Sequence, residues 1–321
     1  MDASILSTLL AVALTAATAA AAAQRPVTEL VRTTTIALAR NADWVAITDD
    51  AVWVGTTGPN AVQRIDPRAN VRTATILLPG NPCAGLAVGF GSLWVPLCAH
   101  PNRLARVDLR TRSVTLLPGL GPAAKEGGIT TSADSVWLVT DARGVLARID
   151  PSTGRIRQRV PVPTGSFNPL YSGGRIWITR ARGADVTVVD AATGTVKARV
   201  PTGPHPRFLT AGAGAVWTLN QGDGSLSRID AQSLKLTNTI ALETPGPGGD
   251  ITFANGIIWT TMQKVPLSGV DTTTNTLVCQ WVGSGGDSLA IGHGAIWLTD
   301  YDAGTVSRIE LNDAAARCRS S

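Results

Sequence analysis

One tryptophan recurs through this chain at a nearly constant interval, inside the same short apolar context. The positions are Trp53 (AVWVG), Trp94 (SLWVP), Trp137 (SVWLV), Trp177 (RIWIT), Trp217 (AVWTL), Trp259 (IIWTT) and Trp297 (AIWLT), spaced by 41, 43, 40, 40, 42 and 38 residues. A period near 40 residues is the signature of a repeat architecture, built from one supersecondary unit stacked on itself. A second marker keeps step. Each tryptophan is followed 12 to 14 residues later by an acid closing an apolar run: Asp66, Asp108, Asp150, Asp190, Asp230, Asp271 and Glu310. Turn sequences follow several of these, as in Asp150-Pro151-Ser152-Thr153-Gly154, where Asp caps the turn and Gly supplies a positive φ.

Each period divides into four short strands, A to D. In the fifth repeat these are Phe208 to Ala211, Ala215 to Asn220, Ser225 to Asp230 and Leu234 to Leu242, joined by Gly-bearing turns. No helical periodicity is expected after residue 23. Four-stranded units repeated seven times predict an all-β, seven-bladed β-propeller. The last repeat stops after strand C, at Glu310, whereas one strand too many, Val31 to Ala39, precedes the first. The N-terminal strand therefore completes the last blade and removes an open edge. One tryptophan per blade reads as packing between neighbouring sheets, and the repeated acids read as turn caps rather than catalytic groups.

The apolar run Ile5 to Ala23, ending in Ala21-Ala22-Ala23, has the shape of a secretory signal peptide. It lacks a positive charge at its start, so an uncleaved anchor is the alternative. Residues 24–321 then form a single domain, secreted or periplasmic, with no stable membrane span after signal removal. The formal net charge is +5, and the bases are scattered without a Lys or Arg run, which argues against a nucleic-acid partner. Four cysteines in an exported chain read as two disulfides, with three connectivities open. Cys83 and Cys98 bracket the A–B hairpin of blade two at equal offsets from its turn, which favours Cys83–Cys98. Cys279, expected on the outer rim of blade six, is then left for Cys318 in the tail.

Ligands of propellers gather where the D–A and B–C loops surround the channel, because loops on a rigid scaffold carry function. The candidate ligand-binding residues there are Tyr171, Arg180, His205, Arg207, Asn220, Asp250, Asp287 and Tyr301. Lys125, Glu126, Asn168, His100, Arg143, Arg182, Lys264 and Asp300 belong to the same loops. This mixed rim, with several bases, suits an anionic or polar ligand. His293 falls in an A–B turn on the opposite face, where solvent exposure is expected. No metal-ligand spacing and no nucleophile motif is present, so no catalytic residue, metal site or cofactor is assigned.

Two stretches, GLAVGFGSLWVP (Gly85 to Pro96) and SLAIGHGAIWLTDYDAGTVSRIE (Ser288 to Glu310), resemble the repeats of YVTN-type and streptogramin (virginiamycin B) lyase-like propellers. The resemblance implies the same seven-bladed fold over Val31 to Glu310. It also implies, for the lyases, elimination at a cyclic depsipeptide ester with a divalent metal, a His base in a D–A loop and acids around it. Here the corresponding loops read Gly248-Gly249-Asp250 and Gly285-Gly286-Asp287, without histidine. The expected function is a monomeric binding module for a small polar molecule, a peptide or a cell-envelope component. The alternative is a metal-dependent lyase-like or lactonase-like enzyme on the same face, for which Asp250, Asp287 and Asp300 form the only plausible cluster.

Overall fold

In a computed structural model, which describes residues 24–117 and 119–320, the strands sort into seven separate sheets. Blade one is typical: Asp43–Thr48, Ala51–Thr56, Ala61–Asp66 and Val71–Leu77 pair antiparallel in chain order, from the channel outward. The ring is sealed as the sequence requires. Thr34–Ala37 is strand D of blade seven, with Thr34 opposite Arg308 and Ala37 opposite Thr305. A further N-terminal piece, Gln24–Pro26, runs parallel to Thr276–Val282 and adds a fifth strand to blade six. The predicted signal peptide lies outside the described residues.

The seven repeat tryptophans are all buried between blades. Their register explains a feature of the sequence beyond packing. In five blades the residue directly across from the tryptophan on strand C is an arginine: Arg64, Arg106, Arg148, Arg228 and Arg308. Each guanidinium carbon lies 5.2 to 6.0 Å from the indole centre, close enough for a cation–π contact. Four of these arginines continue past their tryptophan to the C–D turn of the next blade. Arg106 donates to Pro151 O, Arg148 to Ala192 O, Arg228 to Asn275 Oδ1 and Arg308 to Pro67 O. The acids that close strand C act as turn caps, with Asp66, Asp108, Asp150, Asp190, Asp230 and Asp271 accepting backbone N–H groups two or three residues on. Glu310 departs from this, because the chain turns there into a helix.

That helix, Leu311–Arg319, and a short 3₁₀ turn, Val27–Glu29, correct the expectation that nothing after residue 23 is helical. The helix packs Leu311, Ala314, Ala315 and Cys318 against blades six and seven. Its small apolar stripe is spaced for one narrow contact, and the short run of nine residues gives little periodic signal. Both disulfides form: Cys83–Cys98, with Cα atoms 5.7 Å apart, and Cys279–Cys318, at 4.9 Å. Cys279 is fully buried rather than on an open rim, because the helix and Gln24–Pro26 cover strand D of blade six. His293 is likewise half-buried, its Nε2 meeting Thr48 O of blade one at 2.9 Å.

Candidate functional site at the channel mouth

The innermost strands do not begin uniformly. In blade one Asp43 pairs with Gly55 and Val45 with Val54, which leaves Trp44 as an extra, bulged residue. In blade five Pro206 pairs with Asn220 and Phe208 with Leu219, which leaves Arg207 bulged. Bulges re-aim side chains and favour functional rims. Trp44 also has φ of 53°, in the left-handed region, a costly conformation for a bulky side chain. The bulge sends its indole into the channel, where the ring centre lies 6.0 Å from that of Phe208 across the ring of blades. Trp44 and Phe208 line a cavity of about 180 Å³ to which every blade contributes, through Val45, Leu86, Thr130, Asn168, Asp250 and Ser288 among others.

Around this aromatic floor stand carboxyl groups from four blades. Asp43 and Asp250 open strand A of blades one and six, Asp287 sits in the D–A loop of blade seven, and Glu126 sits in that of blade three. Asp250 is buried. Its Oδ2 accepts from Ser288 Oγ at 2.8 Å and its Oδ1 from Ile251 N at 2.8 Å, yet burial still pushes its carboxyl up to about 6. Burial, followed by repulsion from Asp287 and Glu126, holds Asp43 well above the usual carboxylate range. Asp287 is raised by burial too, and its charge in turn raises Asp43. Glu126 is raised by burial and by Asp287, and is partly compensated by Arg207. Tyr301 is exposed, and its hydroxyl is raised by partial burial first and then by the charges of Asp43, Glu126 and Asp287.

Of the residues proposed from sequence, the structure therefore brings four together: Arg207, Asp250, Asp287 and Tyr301. It does not bring the other four into this well. Tyr171 is next to last in strand A of blade four and pairs with Ile176 beside the A–B hairpin, at the opposite face from the D–A loops. Arg180 is occupied within its own blade, with Nε and Nη2 on the two oxygens of Asp185 at 2.7 and 2.8 Å. Asn220 is fully buried, and its Nδ2 donates to Ser225 Oγ and Ser227 Oγ. His205 is exposed in its loop, held by backbone bonds to Gly183 O and Gln221 N. Arg143 likewise folds back onto Asp141. Arg143 and Arg180 are thus tied down, and the buried groups at the mouth are mostly acidic.

Asp43, Trp44 and Phe208 were not among the sequence candidates. Asp43 and Trp44 lie in the one D–A connection that crosses from the borrowed N-terminal strand into blade one, where the repeat spacing gives no guide. The pair Asn41-Ala42 before them carries no Gly or Pro punctuation.

The site does not match the metal-dependent arrangement implied by the lyase-like repeats. The D–A loops of blades six and seven supply Asp250 and Asp287 where the resemblance implies a histidine base. Among the described residues, no three His, Cys, Asp or Glu side chains are arranged to hold a metal ion. A larger cavity, about 600 Å³, lies away from this chemistry, in a rim groove between blades two and three lined by Asn102, Leu117, Ala123 and Asp141.

Fold and site together define the molecule as a disulfide-stapled, seven-bladed β-propeller with an acidic well at one end of its channel. Among solved structures, a streptogramin B lyase is similar over 84% of this chain and 92% of its own, at 18% identity and a TM-score of 0.70. Virginiamycin B lyase from Staphylococcus aureus is similar over 87% of this chain and 98% of its own, at 16% identity and a TM-score of 0.72. BamB from Moraxella catarrhalis covers 87% of this chain and 97% of its own, at 13% identity and a TM-score of 0.62. Identities this low establish a shared fold alone. No protein-family model and no curated protein sequence matches the chain.

Proposed function

We propose that this chain is an exported binding module, and that its ligand is a small polar molecule carrying a positively charged nitrogen, held in the channel-mouth well. The observation that carries the reading is the convergence of Asp43, Asp250, Asp287 and Glu126 from four blades over an aromatic floor. Burying several acids together costs stability, since each must stay protonated or repel its neighbours. A cation entering the well relieves both penalties at once. The aromatic rings beneath add an attractive face for it. Export is supported by two disulfides, which persist in oxidising compartments, and among the described residues no helix is long and apolar enough to cross a membrane.

The test is a thermal-shift panel of matched small molecules: primary amines, amino-acid zwitterions, carboxylates and neutral amides. Amines or zwitterions should raise the melting temperature, carboxylates should not, and Asp287→Asn should abolish the effect. Stabilisation by carboxylates alone, or hits unaffected by Asp287→Asn, would overturn the reading.

A further inference from the structure

Among the described residues, the well also contains a cation without a close ion pair. Arg207 joins no ion pair within 4.0 Å among the described residues, and its buried Nε has no hydrogen-bond partner. The neighbouring rim arginines differ, with Arg143 closed onto Asp141 and Arg180 onto Asp185. Arg207 is nevertheless fixed in place. Its guanidinium carbon lies 4.5 Å from the centre of the Phe167 ring and 5.9 Å from that of Phe208. Its backbone carbonyl accepts from Asn168 Nδ2 at 2.7 Å and from Thr179 Oγ1 at 3.0 Å. Glu126 is its electrostatic neighbour, and Glu126 in turn acts on Asp43. A stacked guanidinium with free donors is preorganised for a planar carboxylate.

A second orphan sits below it. The Trp44 indole is 6% exposed, yet its Nε1 finds no acceptor, although the residue lines the cavity shared with Asp250 and Ser288. This is not the habit of the fold at large. The indoles of Trp53, Trp94, Trp137, Trp177, Trp217 and Trp297 all donate to the A–B hairpin of their own blade. Trp259 and Trp281 lack an acceptor too, but they are packed with the helix and its disulfide rather than against the channel. A buried donor without a partner is costly and marks the place of an absent acceptor. The well therefore presents acids for a cation and, beside them, two unsatisfied donors for an anion.

We infer that the ligand is a compact zwitterion of the amino-acid class, its ammonium group on the Asp43–Asp287 pair and its carboxylate on Arg207, with an oxygen in reach of Trp44 Nε1. This rests on the binding-module reading and sharpens it. A simple amine leaves Arg207 and Trp44 unpaired, and a simple carboxylate meets the repulsion of four acids. Only a molecule with both charges satisfies the acids and the donors together.

The experiment is a calorimetric titration of residues 24–321 with L-alanine, L-alanyl-L-alanine, alaninamide and N-acetylalanine. At least one of the two zwitterions should bind about tenfold or more tighter than alaninamide, the value of one charge-assisted contact, and N-acetylalanine should not bind. In Arg207→Met the advantage of the zwitterion over alaninamide should vanish, and Arg207→Lys should restore part of it. The analogue series needs only the native chain, so it stands even where a variant folds poorly. If alaninamide binds wild type as tightly as both zwitterions, the carboxylate contact is refuted while the cation site survives. If neither the amide nor either zwitterion binds, the binding-module reading itself falls.

Discussion

Asp250 shows how a single side chain in this well couples folding to pH. Its carboxyl titrates near 3.8 when unfolded and is pushed up to about 6 in the folded chain. Between those values the native state keeps a proton that the unfolded state has lost, so stability falls as pH rises from about 4 to about 6 and then levels. Two units correspond to roughly 3 kcal/mol. Asp43 pushes in the same direction. The turn-capping acids act oppositely: hydrogen bonds from Thr193 lower Asp190, and one from the Ser233 hydroxyl lowers Asp230, so their contribution is lost only below that window. Urea melts from pH 4.5 to 7.5 should show wild type losing roughly 2 kcal/mol relative to Asp250→Asn across the range, the remainder having been lost below pH 4.5. Parallel curves would show that Asp250 is not proton-bound. At this scale the sequence was half legible. The placement of Asp250, Asp287, Arg207 and Tyr301 in the channel-mouth loops was readable because loop position follows from the repeat. Arg180 and Asn220 were misread because nothing in their spacing reveals that Asp185, Ser225 and Ser227 already satisfy them.

At the scale of one blade, the tryptophan on strand B and the arginine across from it on strand C work as a latch to the next blade. Where the arginine is missing, a substitute is visible. Blade four has Val188 opposite Trp177, and Arg175 donates instead to Ala231 O of blade five. Blade six has Gly269 opposite Trp259, and the Cys279–Cys318 bridge fills the space the arginine would need. A methyl group at 269 would lie 2.8 Å from Cys279 Sγ and 3.2 Å from Cys318 Sγ. Gly269→Ala should therefore cost about 1–3 kcal/mol from overpacking, read as a lowered melting temperature in the oxidised protein. An unchanged melt would mean the bridge does not occupy that space. The pairing of tryptophan and acid was readable because both keep the repeat period. The bulges at Trp44 and Arg207 were not, because an extra residue at a strand start leaves no mark on a period that already varies by several residues. The Cys83–Cys98 bridge was predicted from a symmetric hairpin, and it forms although the register slips: Ala87 pairs with Trp94 but Pro82 with Leu97.

For the whole molecule, the decisive device is closure. Blade seven borrows Thr34–Ala37, so the first and last strands of the ring are held by one antiparallel ladder, and Ile36 is buried against Val306 and Trp297. Without that strand, Thr305–Glu310 becomes an open edge, a template for pairing between molecules. A chain beginning after Leu38 should melt lower and associate on gel filtration, whereas one beginning at Leu30 should remain monomeric. Equal behaviour of the two would contradict the closure. Closure also matters to the site, because Asp43 and Trp44 follow the borrowed strand directly and Asp287 comes from the blade it completes. The well is assembled only when the ring shuts.

The most direct measurement of the central claim is a crystal structure of residues 24–321 soaked with L-alanyl-L-alanine. The account predicts the dipeptide over Trp44, between Asp287 and Arg207. Occupancy instead of the groove lined by Asn102 and Leu117, with the well holding solvent alone, would contradict it.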